Sequence, residues 1–456
     1  MLKTLALSLI ILASFSNLAS AKVFNAESFK LDNGLEVVVI TNDRAPVVTS
    51  MIWYRVGAAD EPQGLSGMAH YFEHLMFKGT DKYEPGEMSR LVKKLGGNDN
   101  AFTSQDFTAY FQSIAVEHLD TMLEAEADRM VNLKVPPEHF DSEKKVVIEE
   151  RRQRTENDPK GLFGEQMRSA LFVNHPYGTP TIGWMNEIEG YEWEDVKIFY
   201  DAWYAPNNAT IIISGDITAN RVRPSIEKYF GRLEAKELPK RIRPKVPPAI
   251  GNTVMTLHHD TIHQEGVNKI LIAPTFSTNK KDALALQILQ EILSSGPTTR
   301  LYKSLVVEQK KAVSVSFYYS GTARDYGTIG ISATPIAPVT AKEILQDIES
   351  ELADLRDNGV TETELKEAQT RLIDSADFAR DSLSGPAMVI GRGLTTGSTL
   401  DDVENWPENI KQITVGDIKR VANTYLNPTE PWLRPAVIGY LYPENKEEEA
   451  NNENTH

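Results

Sequence analysis

Two stretches of this chain close in the same way. Asp195-Val196 begins a helical run to Trp203-Tyr204-Ala205-Pro206, followed by the β-prone Ala209-Thr210-Ile211-Ile212-Ile213. Asp417-Ile418 begins another, to Tyr425-Leu426-Asn427-Pro428, followed by Ala436-Val437-Ile438. Aspartate to proline is eleven positions in both. A helix, a proline turn and a closing strand at the end of each half predict duplicated domains. Between the halves, 232–252 carries Pro239, Pro244, Pro247 and Pro248 with basic residues and little apolar periodicity, so it reads as a linker. With 456 residues, the chain is long enough for two cores. The expected division is a leader at 1–21, a first domain at 22–231, the linker, a second domain at 253–443 and a disordered acidic tail at 444–456.

The local signals mix strands and helices. Asn33-Gly34 marks a hairpin turn before Leu35-Glu36-Val37-Val38-Val39-Ile40. The runs 47–56 and 108–114 are β-rich, and 116–131 has Leu119, Met122, Leu123 and Met130 on one helical face. Ser66 is a candidate N-cap for a helix that follows Gly64-Leu65-Ser66-Gly67. The predicted fold class is α+β: two similar domains, each a mainly antiparallel sheet packed with helices.

Lys3, the apolar run 5–15 and Ala19-Ser20-Ala21 form a signal peptide pattern with cleavage before Lys22. The apolar run is too short for a membrane span. An exported chain is expected, in a bacterial periplasm first and secreted second. It has no cysteine, so any metal must be held by histidine and carboxylate, which suits a catalytic site better than a structural one. The net charge of −16 argues against a nucleic-acid partner.

His70-Tyr71-Phe72-Glu73-His74 places two imidazoles one helical turn apart, with Glu73 toward the same side. This H-x-x-E-H order suits zinc-dependent peptide hydrolysis. An open zinc site usually takes a third protein ligand, and the helical segment 141–152 offers it. Glu149 and Glu150 point about 100° apart on a helix, so only one can face the metal. Glu143 precedes Glu150 by two turns and shares its face, and Val146 and Val147 between them are expected to pack inward. Glu150 is therefore the favoured ligand. Glu143 is the carboxylate that orients a ligand histidine or the site water. Solvated Glu–Lys and Glu–Arg pairs would be the ordinary reading of such a segment. His258, His259 and His263 match no ligand spacing, His175 reads as a loop residue, and His118 and His139 flank helices. Taken alone, Asn100 reads as a turn residue after Gly96-Gly97.

The block HYFEHLMFKGT, with the later EKKVVIEERRQR, resembles the pitrilysin/insulinase family of zinc peptidases, nearest the branch that includes mitochondrial processing peptidase. GLEVVVI, NAFTSQDFTAYF, HPYGTPTIG at 175–183 and YAPNNATIIISGDI at 204–217 extend the resemblance. It implies one Zn²⁺ held by His70, His74 and Glu150, with Glu143 in support and Glu73 as the base that takes a proton from water. It also implies that Asn100, Ala101, Phe102 and Thr103 bind substrate main chain by strand addition at a sheet edge. The expected substrate is a peptide or unfolded segment. Many relatives carry an Arg and a Tyr seven residues apart in the second domain, where this chain has Val306 and Val313. Neither valine can donate a hydrogen bond to an oxyanion. A heterodimer with a homologue that carries the Arg/Tyr pair is therefore favoured over a homodimer. The competing reading is a non-catalytic assembly subunit that retains zinc. A purely structural zinc domain is disfavoured by the water-accessible His₂Glu set.

Overall fold

The continuous apolar run of Val37–Ile40 belongs to a strand covered on both faces, and that sets the layering of the molecule. The computed structural model describes residues 22–427 and 436–444. The expected leader, Pro428 and all of the tail after Glu444 lie outside those residues.

The first half forms strands β1 (Glu27–Lys30), β2 (Glu36–Thr41), β3 (Val47–Tyr54), β4 (Asn98–Thr103), β5 (Thr108–Ala115) and β6 (Ala209–Gly215). They make one sheet in the order β1-β2-β6-β3-β5-β4. The second half forms β7 (Thr253–His259), β8 (Gly266–Ala273), β9 (Ala312–Ser320), β10 (Gly327–Pro335) and β11 (Ala436–Pro443), in the order β7-β11-β8-β10-β9. Apart from β1, the two orders are the same. In each half the last strand inserts between two others: β6 is parallel to β2 and antiparallel to β3, and β11 is parallel to β7 and antiparallel to β8. The molecule is thus two similar α+β domains, and the closing units seen in the sequence are the helices Trp193–Trp203 and Val415–Tyr425 with β6 and β11.

Each sheet buries one face under helices of its own half. Val37, Val39, Ile52, Ile211 and Ile213 share a core with the helices Met68–Leu75 and Leu119–Asn132. The other face is covered from across the molecule. Val38, Ile40, Met51, Trp53 and Ile212 pack with Ala387, Ile390 and Leu394 of the helix Gly385–Thr396, in the second half. Reciprocally, Phe163, Met167 and Leu171 of the helix Pro159–Leu171 pack with Ile270, Ile272 and Val437 of the second sheet. Burial on both faces explains why β2, β3 and β6 are apolar without alternation.

No helix or strand falls within 232–252. Arg243 of this run reaches Asp60 at 2.8 Å, Asp106 at 3.2 Å and Asp325 at 3.0 Å, joining both halves. His175, read as a loop residue, is buried at this junction, with Nε2 3.5 Å from Asp325 Oδ2. Among the described residues no helix is long and apolar enough to cross a membrane.

Candidate active site

The metal-motif helix spans Met68–Leu75. Met68, Ala69, Tyr71, Phe72 and Leu75 are fully buried in the first core, which turns Glu73 and His74 toward the opposite, partly open side. The helix starts at Gly67, not at a Ser66 cap: Gly67 has φ +88°, and its position crosses the backbone of Ile182 so closely that a Cβ would lie 2.2 Å from a carbonyl oxygen. Glu61 does the capping, accepting from the Gly67 and Ala69 amides at 2.8 Å each. Ser66 Oγ instead accepts from the Trp184 amide at 2.9 Å.

The helix Pro137–Arg151 supplies the carboxylates. Tyr71 donates to the Phe140 carbonyl at 2.5 Å and ties the two helices together. At its C-terminal end Arg151 is buried, bonding Glu165 at 3.0 Å and the Gly183 carbonyl at 2.7 Å. Val147 is fully buried, as expected. Val146 is 48% exposed, because one residue of helical rotation carries it off the core face.

Glu150 faces the imidazoles. Its Oε1 lies 3.7 Å from His70 Nε2 and its Oε2 lies 3.3 Å from His74 Nε2. One donor atom from each of the three residues falls within 4.8 Å of the others, the one such histidine–carboxylate group found among the described residues. Glu149 points away, pairing with Arg152 at 3.5 Å. Zinc suits this set: tetrahedral ligands about 2.1 Å from an ion stand roughly 3.4 Å apart. His74 Nδ1 is 2.8 Å from Glu143 Oε1, which leaves Nε2 for the metal. Lys78 pairs with the other oxygen of Glu143. A π turn over Arg152–Glu156 brings Arg154 to 2.7 Å from Glu150 Oε1.

The protonation pattern follows from these contacts. Burial and the neighbouring His74 lower the His70 imidazole to about 4, so it is neutral at pH 7. Burial opposes charge on His74, but its hydrogen bonds to Glu143 and Glu150 raise it to about 9 in the metal-free site. The His74 hydrogen bond holds Glu150 below the usual carboxylate range. Burial works against Glu143 as a carboxylate, yet His74 and Lys78 outweigh it and keep it ionised. Glu73 is shifted the other way: burial raises it, partly offset by the hydroxyl of Thr103, which donates to Glu73 Oε2 at 2.6 Å.

Asn100, Ala101, Phe102 and Thr103 lie in β4, which among the described residues pairs with β5 alone and so forms the open edge of the first sheet. Asn100 is therefore a strand residue. It is exposed, and its Oδ1 accepts from the Ala101 amide at 2.9 Å. Phe102 packs edge-on against Trp53, with ring centres 5.2 Å apart. Val306 packs against the second core, and Val313 is 51% exposed on β9. The sequence reading missed Glu61 and Lys78, although Lys78 follows His74 at helical spacing.

Residues 36–184 match the family model described as insulinase, peptidase family M16, and 192–372 match the one described as peptidase M16 inactive domain. The chain belongs to the M16 peptidase family. The M16 relative named zinc protease PqqE, from Helicobacter pylori, is 31% identical over 411 residues, covering 89% of this chain and 91% of that protein. An uncharacterized zinc protease of Streptomyces coelicolor, SCO5738, is 26% identical, covering 90% of this chain and 89% of that protein. The crystal structure of a protease from Helicobacter pylori matches with a TM-score of 0.85 and 30% identity, covering 93% of this chain and 100% of that one. The periplasmic protease PqqL of Escherichia coli matches in fold with a TM-score of 0.77 and 19% identity. That match covers 93% of this M16 chain but 48% of PqqL.

Proposed function

We propose that this chain is a zinc-dependent endopeptidase acting on peptides or unfolded segments, with His70, His74 and Glu150 holding one Zn²⁺ and Glu73 as the base. The observation that carries this reading is the convergence of the three donors within 4.8 Å, with Glu73 on the same helix as the two histidines. Bound there, zinc supplies the Lewis acidity that acidifies water and polarises a scissile carbonyl. Glu73 then takes the proton and returns it to the leaving amine. Its raised proton affinity, a consequence of burial, suits that shuttle. Glu143 holds His74 in the tautomer that presents Nε2. The open edge of β4 receives extended peptide backbone.

Val306 and Val313 leave the Arg/Tyr function to a homologue in a heterodimer; the alternative is a homodimer that works without that pair. PqqL, of which this chain matches about half the length, supports pairing of two such units. PqqL is a periplasmic protease, which together with the leader pattern at 1–21 supports export to the periplasm. A non-catalytic assembly subunit that keeps zinc is the second reading, favoured by the match of 192–372 to an inactive domain.

Zinc content and peptide cleavage of wild type and Glu73→Gln separate the two. The expected result is cleavage by wild type, and retained zinc with about 10²–10⁴-fold slower cleavage by the variant. Zinc-loaded wild type that cuts no peptide, alone or with its partner, ends the enzyme reading.

A further inference from the structure

A base must present one carboxylate oxygen in a fixed direction, and Glu73 has a single hydrogen-bond partner among the described residues. Thr103 Oγ1 donates to Glu73 Oε2 at 2.6 Å, and Oε1 accepts from no group among the described residues. An ionised carboxylate cannot donate, so the hydroxyl proton belongs to the threonine side. Thr103 is the last residue of β4, opposite Thr108 of β5. Thr108 is fully buried and donates to the Val56 carbonyl at 3.0 Å, which fixes the end of the strand pair. Side chains stand across a sheet, whereas an added peptide bonds in its plane. The Thr103 hydroxyl is therefore spent on Glu73, while the strand edge stays open.

We propose that Thr103 is a positioning residue for the base: it pins Oε2 of Glu73 and leaves Oε1 as the oxygen that exchanges the proton. Because Thr103 sits in the strand that receives the peptide, one strand sets both the register of the substrate and the orientation of the base. This rests on the peptidase reading above. It gives the Thr103 side chain a different task from the substrate contact implied by the resemblance.

Thr103→Val keeps the shape and removes the donor; Thr103→Ser keeps the donor. Thr103→Ala makes the same deletion should valine disturb packing. For Val or Ala, kcat is expected to fall about 10–100-fold, with KM within about threefold of wild type. Thr103→Ser is expected to restore kcat. Two readouts do not depend on turnover: zinc affinity, and the affinity of the zinc-free protein for an uncleaved peptide. Both should match wild type in all variants. Wild-type kcat in folded Thr103→Val and Thr103→Ala overturns the proposal. So does a serine variant as slow as valine, or a loss confined to peptide affinity. Wild type that cleaves nothing overturns the peptidase reading instead, so the two failures are distinguishable.

Discussion

Trp53, in β3, packs so closely on Gly391 of the opposite half that a Cβ at 391 would lie 2.0 Å from Trp53 Cε2. The indole fills the room a side chain would need, and both residues lie where a helix of one half covers the sheet of the other. Gly391→Ala forces the indole or the helix to move. The expected cost is about 1–3 kcal/mol, read as a lower urea midpoint at unchanged m-value. Tryptophan emission should shift in the native state.

Zinc uptake should release a proton. Metal-free His74 stays protonated up to about pH 9, because its hydrogen bonds to Glu143 and Glu150 outweigh its burial. Binding through Nε2 displaces that proton, so apparent zinc affinity should rise with pH and level off near pH 9. Calorimetry at pH 7 in buffers of different ionisation enthalpy should count about one proton per zinc. Glu143→Gln should release less and bind zinc about 10–100-fold more weakly.

The second domain carries an acid-sensitive tie. Arg300 bonds Glu364 at 2.6 and 2.8 Å, and this pairing lowers the Glu364 carboxyl from its ordinary 4.5 to about 2. A carboxyl depressed by folding stabilises above its unfolded pKa and loses that contribution as pH falls through the folded value. Wild type should therefore exceed Glu364→Gln in stability at pH 7. The gap should close between about pH 4.5 and pH 2 in acid-unfolding curves. A gap that persists at pH 2 would remove the ion pair as its cause.

Arg243 is the charge that holds the junction together. Asp60 and Asp106 keep only 1% and 2% of their side chains exposed, and Arg243 reaches both. Arg243→Met leaves buried carboxylates short of a cation, at a cost of about 3–5 kcal/mol. Thermal unfolding should show it, and adding Asp106→Asn should recover part of the loss.

Helical and strand periodicity are local, and what depended on them could be read from the chain. The shared face of Glu143 and Glu150, the outward turn of Glu149, the hairpin at Asn33-Gly34 and the duplicated closing units are of this kind. What depended on distant partners could not. Ser66 looks like a cap, but its hydroxyl is taken by the Trp184 amide, and a carboxylate at Glu61 closes the helix instead. Nothing near His175 announces that Asp325 meets it from the other half. The bond from Thr103 to Glu73 depends on how β4 lies over the motif helix, which no spacing encodes. Val146 shows the limit of reading a face from two adjacent residues.

The crossed helices carry a mechanical consequence. Separating the halves as rigid bodies would strip Ile390 and Leu394 from one sheet and Phe163 and Met167 from the other, all at once. A swing about 232–252 is thus blocked by two apolar latches facing opposite ways. The chain behaves as one jaw, and any gape that admits a peptide to β4 has its hinge somewhere other than between its own domains.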